Sequence, residues 1–596
     1  MTHETPIQPA DRRPPVPGLV HPRLDELERG LGEAWDDGNP VGFPAVLRAD
    51  ERAEVLTAGE DVLDAFGLNE EFVPPEFGGH LIRTDHLIQL MRAVCRRDPS
   101  LIFGYGMPSL MAAVNVWAAG SPSQCRDMAG RLLANQKFAC AYHELAHGGD
   151  VGQVDLDATD YGHGRLFNGG KQVIANVERA DGLVLLARTD HQSGSRSHSQ
   201  FLLDKAALPS DRFRYLPRYH TGGLRGVQLG GMEFVNCPVP SEAIVGPAGH
   251  GMETALRSFQ LTRVVLPGVT VGILDTALRA AVRYALGRKL YGRTVTDLPH
   301  PRAVLVDTFA DLLLSDCVST VAARALHTLP REAGVTAAAA KYLVPTVLVD
   351  AVTCLSTLLG AQFYLRGGDH MIMQKLVRDI TPTSVIHASR TTCQLTMLPQ
   401  LPLLARRSWP AGEPAPEQTF QLSAGLPDLR FAQLSLSSGG NDHLCASLRN
   451  ALELTPVDGE HREIRSLLEL FVAELDDLTG ECAPLRPAEL TVTASRNLHR
   501  LTARYAVILA AGCCVNIWRH ASPDQPFLRH PGWVSAALIR LAARLGRRPE
   551  GLPDHIRTHL FDELLHRYHD SRTFDLAGSH LGGERHDDGA LSWGSR

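Results

Sequence analysis

The sequence predicts an α+β chain that is mainly α: a helical N-terminal domain, a central antiparallel β-domain, a helical bundle and an extra helical domain at the C-terminus. Three observations carry this. Apolar residues recur at intervals of three and four through about residue 135, as in LIQLMRAVCRR, which is the period of an amphipathic helix. Residues 136–248 change to short β-branched runs, VLLART and FLLD, separated by Gly, Asp and Ser turns, as a small antiparallel sheet requires. The helical period then returns from 252 to about 404 and again over 419–576.

In chain order, residues 1–44 read as an N-terminal arm and first helix. The opening MTHETPIQPADRRPPVPG is rich in proline and has no apolar h-region, so a loose arm and no signal peptide are expected. Residues 45–135 form the helical N-terminal domain, 136–248 the β-domain and 249–407 the bundle, whose Ala-rich segment 335–341 suits close helix packing. The stretch SWPAGEPAPEQ, 408–418, reads as a linker because three prolines and little apolar content sustain neither regular element. Residues 419–576 make the C-terminal helical extension, and its apolar run 505–515 is too short to span a bilayer. From 577 the chain is rich in Gly, His and Asp and is expected to be disordered.

Composition narrows the function. A chain of 596 residues is too long for one core, and 44% hydrophobic content is ample for several. A net charge of −7 gives no reason to expect nucleic acid or an anionic membrane. Eleven irregularly spaced cysteines read as reduced thiols in the cytoplasm. No P-loop, Rossmann turn or G-x-S-x-G elbow is present. His143 and His147 lie four apart in a loop without an obvious acidic partner, so no metal is expected.

Residues 141–189 carry Ala141, Glu144, Gly148, Asp150, Val151, and then Asn168, Gly169, Lys171, Ile174, Asn176, Ala180 and Asp181. This framework resembles the flavin-binding β-domain signature of the acyl-CoA dehydrogenase family, A-L-T-E-P-x-A-G-S-D-V followed by N-G-x-K-x-W-I-T-N. Other landmarks follow in the family's order over roughly residues 45–405: Val73-Pro74-Pro75-Glu76-Phe77-Gly78-Gly79, Gly223-Leu224-Arg225-Gly226, Gly246 to Gly251, Arg288-Lys289-Leu290-Tyr291-Gly292, and Gly360 with Arg378-Asp379. The resemblance implies FAD at the interface of a homodimer. The extension resembles that of larger dehydrogenases and oxidases, which tend to be dimers.

Departures from the pattern fall on the chemistry. His143 stands where the family's Thr meets the isoalloxazine ring, Gly149 where its Ser meets the pyrophosphate, and Val173 and Ala175 replace the Trp and Thr of W-I-T-N. Thr357 and Ala361 occupy positions of the family's Q-x-x-G-G run. The resemblance places cofactor contacts at Tyr142, His143, Gly148, Gly149, Val173, Ala175, Arg288, Tyr291, Thr357, Gly360 and Ser389, and substrate contacts at Thr262 and Arg263. Both family positions for the catalytic Glu lack a carboxylate, being Thr262 and His387. His387 is the candidate base, since imidazole titrates near ~6.5; otherwise it fills the vacated pocket. His143 donates to the flavin in place of Thr or occupies space. Glu144 is expected to be structural, and Arg378 and Asp379 to pair with each other. The implied activity is FAD-dependent dehydrogenation, or a related oxidation, of an acyl thioester on CoA or an acyl carrier protein in a specialised pathway. The alternative is a non-redox member that binds a thioester as catalyst or scaffold.

Overall fold

Seven α-helices lie between Leu24 and Leu133, and the computed structural model describes residues 18–583 apart from 193, 458 and 548–550. Proline and capping residues set the local boundaries. Asp98 caps the Pro99–Gly104 helix, and Ser121 with Gln124 forms a capping box on Pro122–Leu133. The eight-stranded sheet follows: β1 (Phe138–Ala141), β2 (Asp157–Tyr161), β3 (Gly164–Ala175), β4 (Gly182–Arg188), β5 (His198–Asp204), β6 (Phe213–Leu216), β7 (Leu229–Pro240) and β8 (Ile244–Val245). The order is β6-β7-β3-β2-β4-β5-β8, with β1 on β4. The sheet is mixed where an antiparallel one was expected, because β1 pairs β4 in parallel. The β2–β3 hairpin intervenes, so the chain re-enters beside β1 running the same way.

Three long helices, Gly251–Gly287, Pro299–Thr328 and Ala333–Leu358, form the bundle. Two of them contain internal prolines, Pro267 and Pro345. Proline has no N–H to give the carbonyl four residues earlier, which is that of Arg263 in one helix and Lys341 in the other.

The extension is not a separate unit. One hydrophobic core runs through the N-terminal helices, the bundle and the extension, taking in Leu90, Leu274, Trp409, Leu444 and Trp533. The segment 408–418 is irregular, yet it is not a free spacer: Trp409 is fully buried and donates to Asp442 at 2.9 Å, and the Ala415 N–H donates to Ser447 Oγ at 2.9 Å. Its prolines forbid regular structure while its apolar side chains still drive burial. The chain is ordered through residue 583, past the expected boundary at 577. Phe574 is buried, Asp575 pairs with Arg92 at 3.0 Å, and the Gly582 N–H donates to Glu28 Oε2 at 3.2 Å. Residues 1–17 and 584–596, the outer parts of the expected arm and tail, lie outside the described residues. The apolar run 505–515 belongs to a longer helix, Arg496–Arg519, one of four long and apolar enough to cross a membrane by length and composition among the described residues. Their apolar windows are 72–100% buried inside the fold.

Candidate active site

His387 is presented by a short break between two helices. The Met373–Ile380 helix ends at Thr381-Pro382, and Ser389 accepts from the Thr392 N–H to cap Arg390–Met397. Between them His387 sits at φ +66°, a left-handed conformation unusual for a side-chain-bearing residue. The break is held from below. Lys375 is fully buried against Asp98 (2.8 Å) and Asp379. Arg378 pairs with Asp50 at 2.6 Å, and Asp379 Oδ1 accepts the Leu224 N–H at 2.7 Å. Arg378 and Asp379 therefore do not pair with each other, since helical neighbours one apart point in different directions. Gly223 packs so tightly on the Arg378 carbonyl that an added Cβ would clash with it.

The imidazole of His387 meets the Gly251–Gly287 helix. Its ring lies edge-on to Phe259 at 4.6 Å, and Phe259 lies edge-on to Tyr142 at 4.9 Å. His387 Nε2 is 2.6 Å from Thr262 Oγ1, which also donates to the Phe259 carbonyl at 3.2 Å. That carbonyl is a partner of the ring as well. Nδ1 is buried with no partner among the described residues, and with Thr262 Oγ1 donating to the Phe259 carbonyl, a ring proton on Nε2 is the one that Thr262 Oγ1 can accept. Burial, then the neighbouring Arg263 and Lys341 cations, holds the imidazole pKa well below its usual value, so the ring is neutral at neutral pH.

Arg263 and Lys341 were not both legible beforehand. Lys341, missed in the sequence, is buried and donates to the Thr383 carbonyl at 2.5 Å, with its pKa pushed down by burial to about 8. Burial likewise lowers Arg263, and it raises the neighbouring Cys393 thiol so that it stays protonated. A lone lysine inside the uncharged run AGVTAAAAKYLVPTVLV was the available signal.

The residues expected to hold a flavin divide into two groups. Gly148, at φ +54° with open space where a Cβ would project, and exposed Gly149 leave an open backbone loop. Arg288 is exposed without an ion pair among the described residues, and Tyr291 is 94% exposed at φ +54°. Gly360 is also open, at φ +56°. These fit a phosphate-bearing planar ligand. The second group is engaged within the protein. The Tyr142 side chain is buried in the core rather than facing the loop, and Thr357 Oγ1 donates to its own helix at Cys354. Ser389 is spent on capping. His143 Nδ1 lies 3.2 Å from the Gly148 carbonyl, and His143 bridges Val173 at a bulge in β3. Ala175 ends that strand opposite Leu229. Thr262 is fully buried and reaches only His387 and Phe259 among the described residues, so it positions the imidazole.

His147 does have acidic partners, contrary to expectation. Asp155 lies at 2.8 Å, and Glu144, His147 and Asp155 place ligand atoms within 4.8 Å of one another. Glu144 is already saturated by Lys171 at 2.7 Å and the Asp155 and Leu156 N–H groups. It acts as the clasp of this loop.

Comparison with known proteins bears on the fold. Residues 249–387 match the acyl-CoA dehydrogenase C-terminal domain. Mitochondrial isovaleryl-CoA dehydrogenase of Oryza sativa subsp. japonica is 28% identical over 248 residues, 41% of this chain and 60% of that protein, which is less than two thirds of its length. The probable acyl-CoA dehydrogenase FadE25 of Mycobacterium tuberculosis is 25% identical over 362 residues, 59% of this chain and 90% of that protein. Among solved structures, the FAD complex of PigA is 17% identical with a TM-score of 0.57, covering 63% of this chain and 96% of that one. The chain has the acyl-CoA dehydrogenase fold, and its residues 249–387 match that family's C-terminal domain.

Proposed function

We propose that the protein dehydrogenates an acyl thioester, borne by CoA or a carrier protein, with His387 as the base. The observation that carries this is the neutral imidazole held at Nε2 by Thr262, with its Nδ1 unpartnered. Nδ1 would take the α-proton, and Thr262 and Phe259 would hold the ring while the charge develops. FAD, when bound, supplies the hydride acceptor for the β-hydrogen. The open 148–149 backbone would hold it together with Arg288 and Tyr291, which are exposed on this chain and would act on a cofactor carried by a second copy in a homodimer.

The test is the visible absorption spectrum of the purified protein, with any released chromophore identified after denaturation. A stoichiometric flavin spectrum that bleaches with an acyl thioester supports the reading. Protein that stays colourless with excess FAD overturns it. The missing hydroxyls at Gly149 and Ala175 would then define a non-redox thioester-binding protein.

A further inference from the structure

The cations beside His387 have no matching anion among the described residues. Arg263 is 5% exposed, its Nε is buried without a partner, and no carboxylate of the described residues pairs with it. Lys341 is 1% exposed and has only the neutral Thr383 carbonyl as acceptor among those residues. The other titratable groups acting on this cluster are His387, His143 and Cys393, none of which is anionic. Most other buried cations of the described residues meet a carboxylate. Lys171 meets Glu144 at 2.7 Å, Lys375 meets Asp98 at 2.8 Å, Arg324 meets Asp85 at 2.7 Å and Arg92 meets Asp316 at 2.5 Å. Arg97 and Arg279, which lack a carboxylate within ion-pair distance, donate to backbone carbonyls, as Lys341 does, whereas Arg263 Nε has no partner among the described residues.

Burying two like charges without a countercharge is costly, and one removed from water recovers its energy only against an opposite charge in good geometry. Both cations come from helices interrupted by proline four residues later, Pro267 and Pro345. The base position nearby holds an imidazole, so the protein itself supplies no negative group there. A guanidinium fork with an ammonium beside it suits a carboxylate, which can take two hydrogen bonds from the fork and one from the lysine.

We propose that Arg263 and Lys341 form a carboxylate-binding site beside His387, and that the thioester this protein takes carries a second, free carboxylate on its acyl group. The thioester half rests on the function proposed above. An uncharged acyl chain in the same place would leave both cations buried and unmatched, so the pocket discriminates against it.

Isothermal titration of the full chain with succinate, glutarate and adipate tests the carboxylate site independently of any thioester, with the dimethyl esters as uncharged controls. At least one diacid should bind while its ester does not. Arg263→Gln and Lys341→Met should each weaken binding about 10- to 100-fold, as expected for loss of a charge-assisted hydrogen bond, and Lys341→Arg should restore most of it. Circular dichroism melts report whether the variants fold, and removal of an unmatched charge should not lower Tm. The CoA monothioesters of the same diacids are then titrated beside hexanoyl-CoA. Displacement of the diacid by its own monothioester, at higher affinity than hexanoyl-CoA, supports the proposal. Absence of diacid binding, or binding unchanged in the variants, overturns it even if hexanoyl-CoA binds and the dehydrogenase reading stands. Diacid binding that no thioester displaces keeps the carboxylate site and overturns the thioester reading.

Discussion

Replacing His387 with glycine separates what the ring does for stability from what it does for chemistry. A side-chain-bearing residue at φ +66° is strained by about 1–2 kcal/mol, which glycine relieves. Against this stand the bond to Thr262, worth about 1 kcal/mol, and the edge contact with Phe259, worth about 0.5–1.5 kcal/mol. Glycine also adds freedom to the unfolded chain, costing about 0.4–1 kcal/mol. The balance is a variant about 1 kcal/mol less stable, with Thr262 still donating to the Phe259 carbonyl. If Nδ1 takes the α-proton, the rate of flavin bleaching by a thioester substrate should fall by about 100- to 10,000-fold. Denaturant unfolding followed by circular dichroism and stopped-flow absorbance measure the two effects on one preparation. A loss of stability above about 3 kcal/mol would mark the ring as a structural filler. A rate within a few-fold of the parent would remove it from the chemistry.

The pH dependence follows from the same ring. Because the neutral form is the base and its pKa lies well below the usual value, kcat/KM should stay flat down through pH ~6.5 and fall only at lower pH. Stability behaves in parallel: His387 and His86, the latter pushed down by burial to about 4, are neutral when folded. The unfolded chain therefore binds more protons below ~6.5, and Tm should begin to drop there and continue dropping toward about 4. Asp575→Asn leaves the buried Arg92 and Arg96 with less countercharge, so denaturant unfolding should show a loss of about 3 kcal/mol; an unchanged midpoint would mean that the tail does not dock. Gly223→Ala drives a Cβ into the Arg378 carbonyl, forcing a shift that costs about 1–3 kcal/mol. Since Arg378 lies on the helix leading to His387, bleaching should slow as well, and a melt indistinguishable from the parent would refute the close contact.

What could be read in the sequence was what depends on neighbours along the chain. Proline and glycine positions mark turns whatever surrounds them, so the landmarks from Val73 to Asp379 indexed the fold, and counting on from Asp379 led to His387, which meets Thr262, the other position counted from the sequence. Properties set by partners far away were not legible. Arg378 and Asp379 are adjacent, which suggested a pair; Asp379 instead meets Lys375 one turn back, while Asp50, which pairs with Arg378, and Leu224, whose N–H Asp379 accepts, lie more than a hundred residues upstream. The tail reads as polar and Gly-rich, yet Asp575 is matched by Arg92 and Arg96, whose burial no local pattern reveals. The cation pair belongs to this second class. Arg263 and Lys341 lie on different helices, and each is ordinary alone; the anomaly exists only where they converge on His387 with no carboxylate of the described residues between them. The sequence did hold half of that clue. A site that lacks the family's Glu while cations stand around it has the opposite sign of charge in its pocket, and a pocket of that sign selects for charge on the substrate before it selects for length.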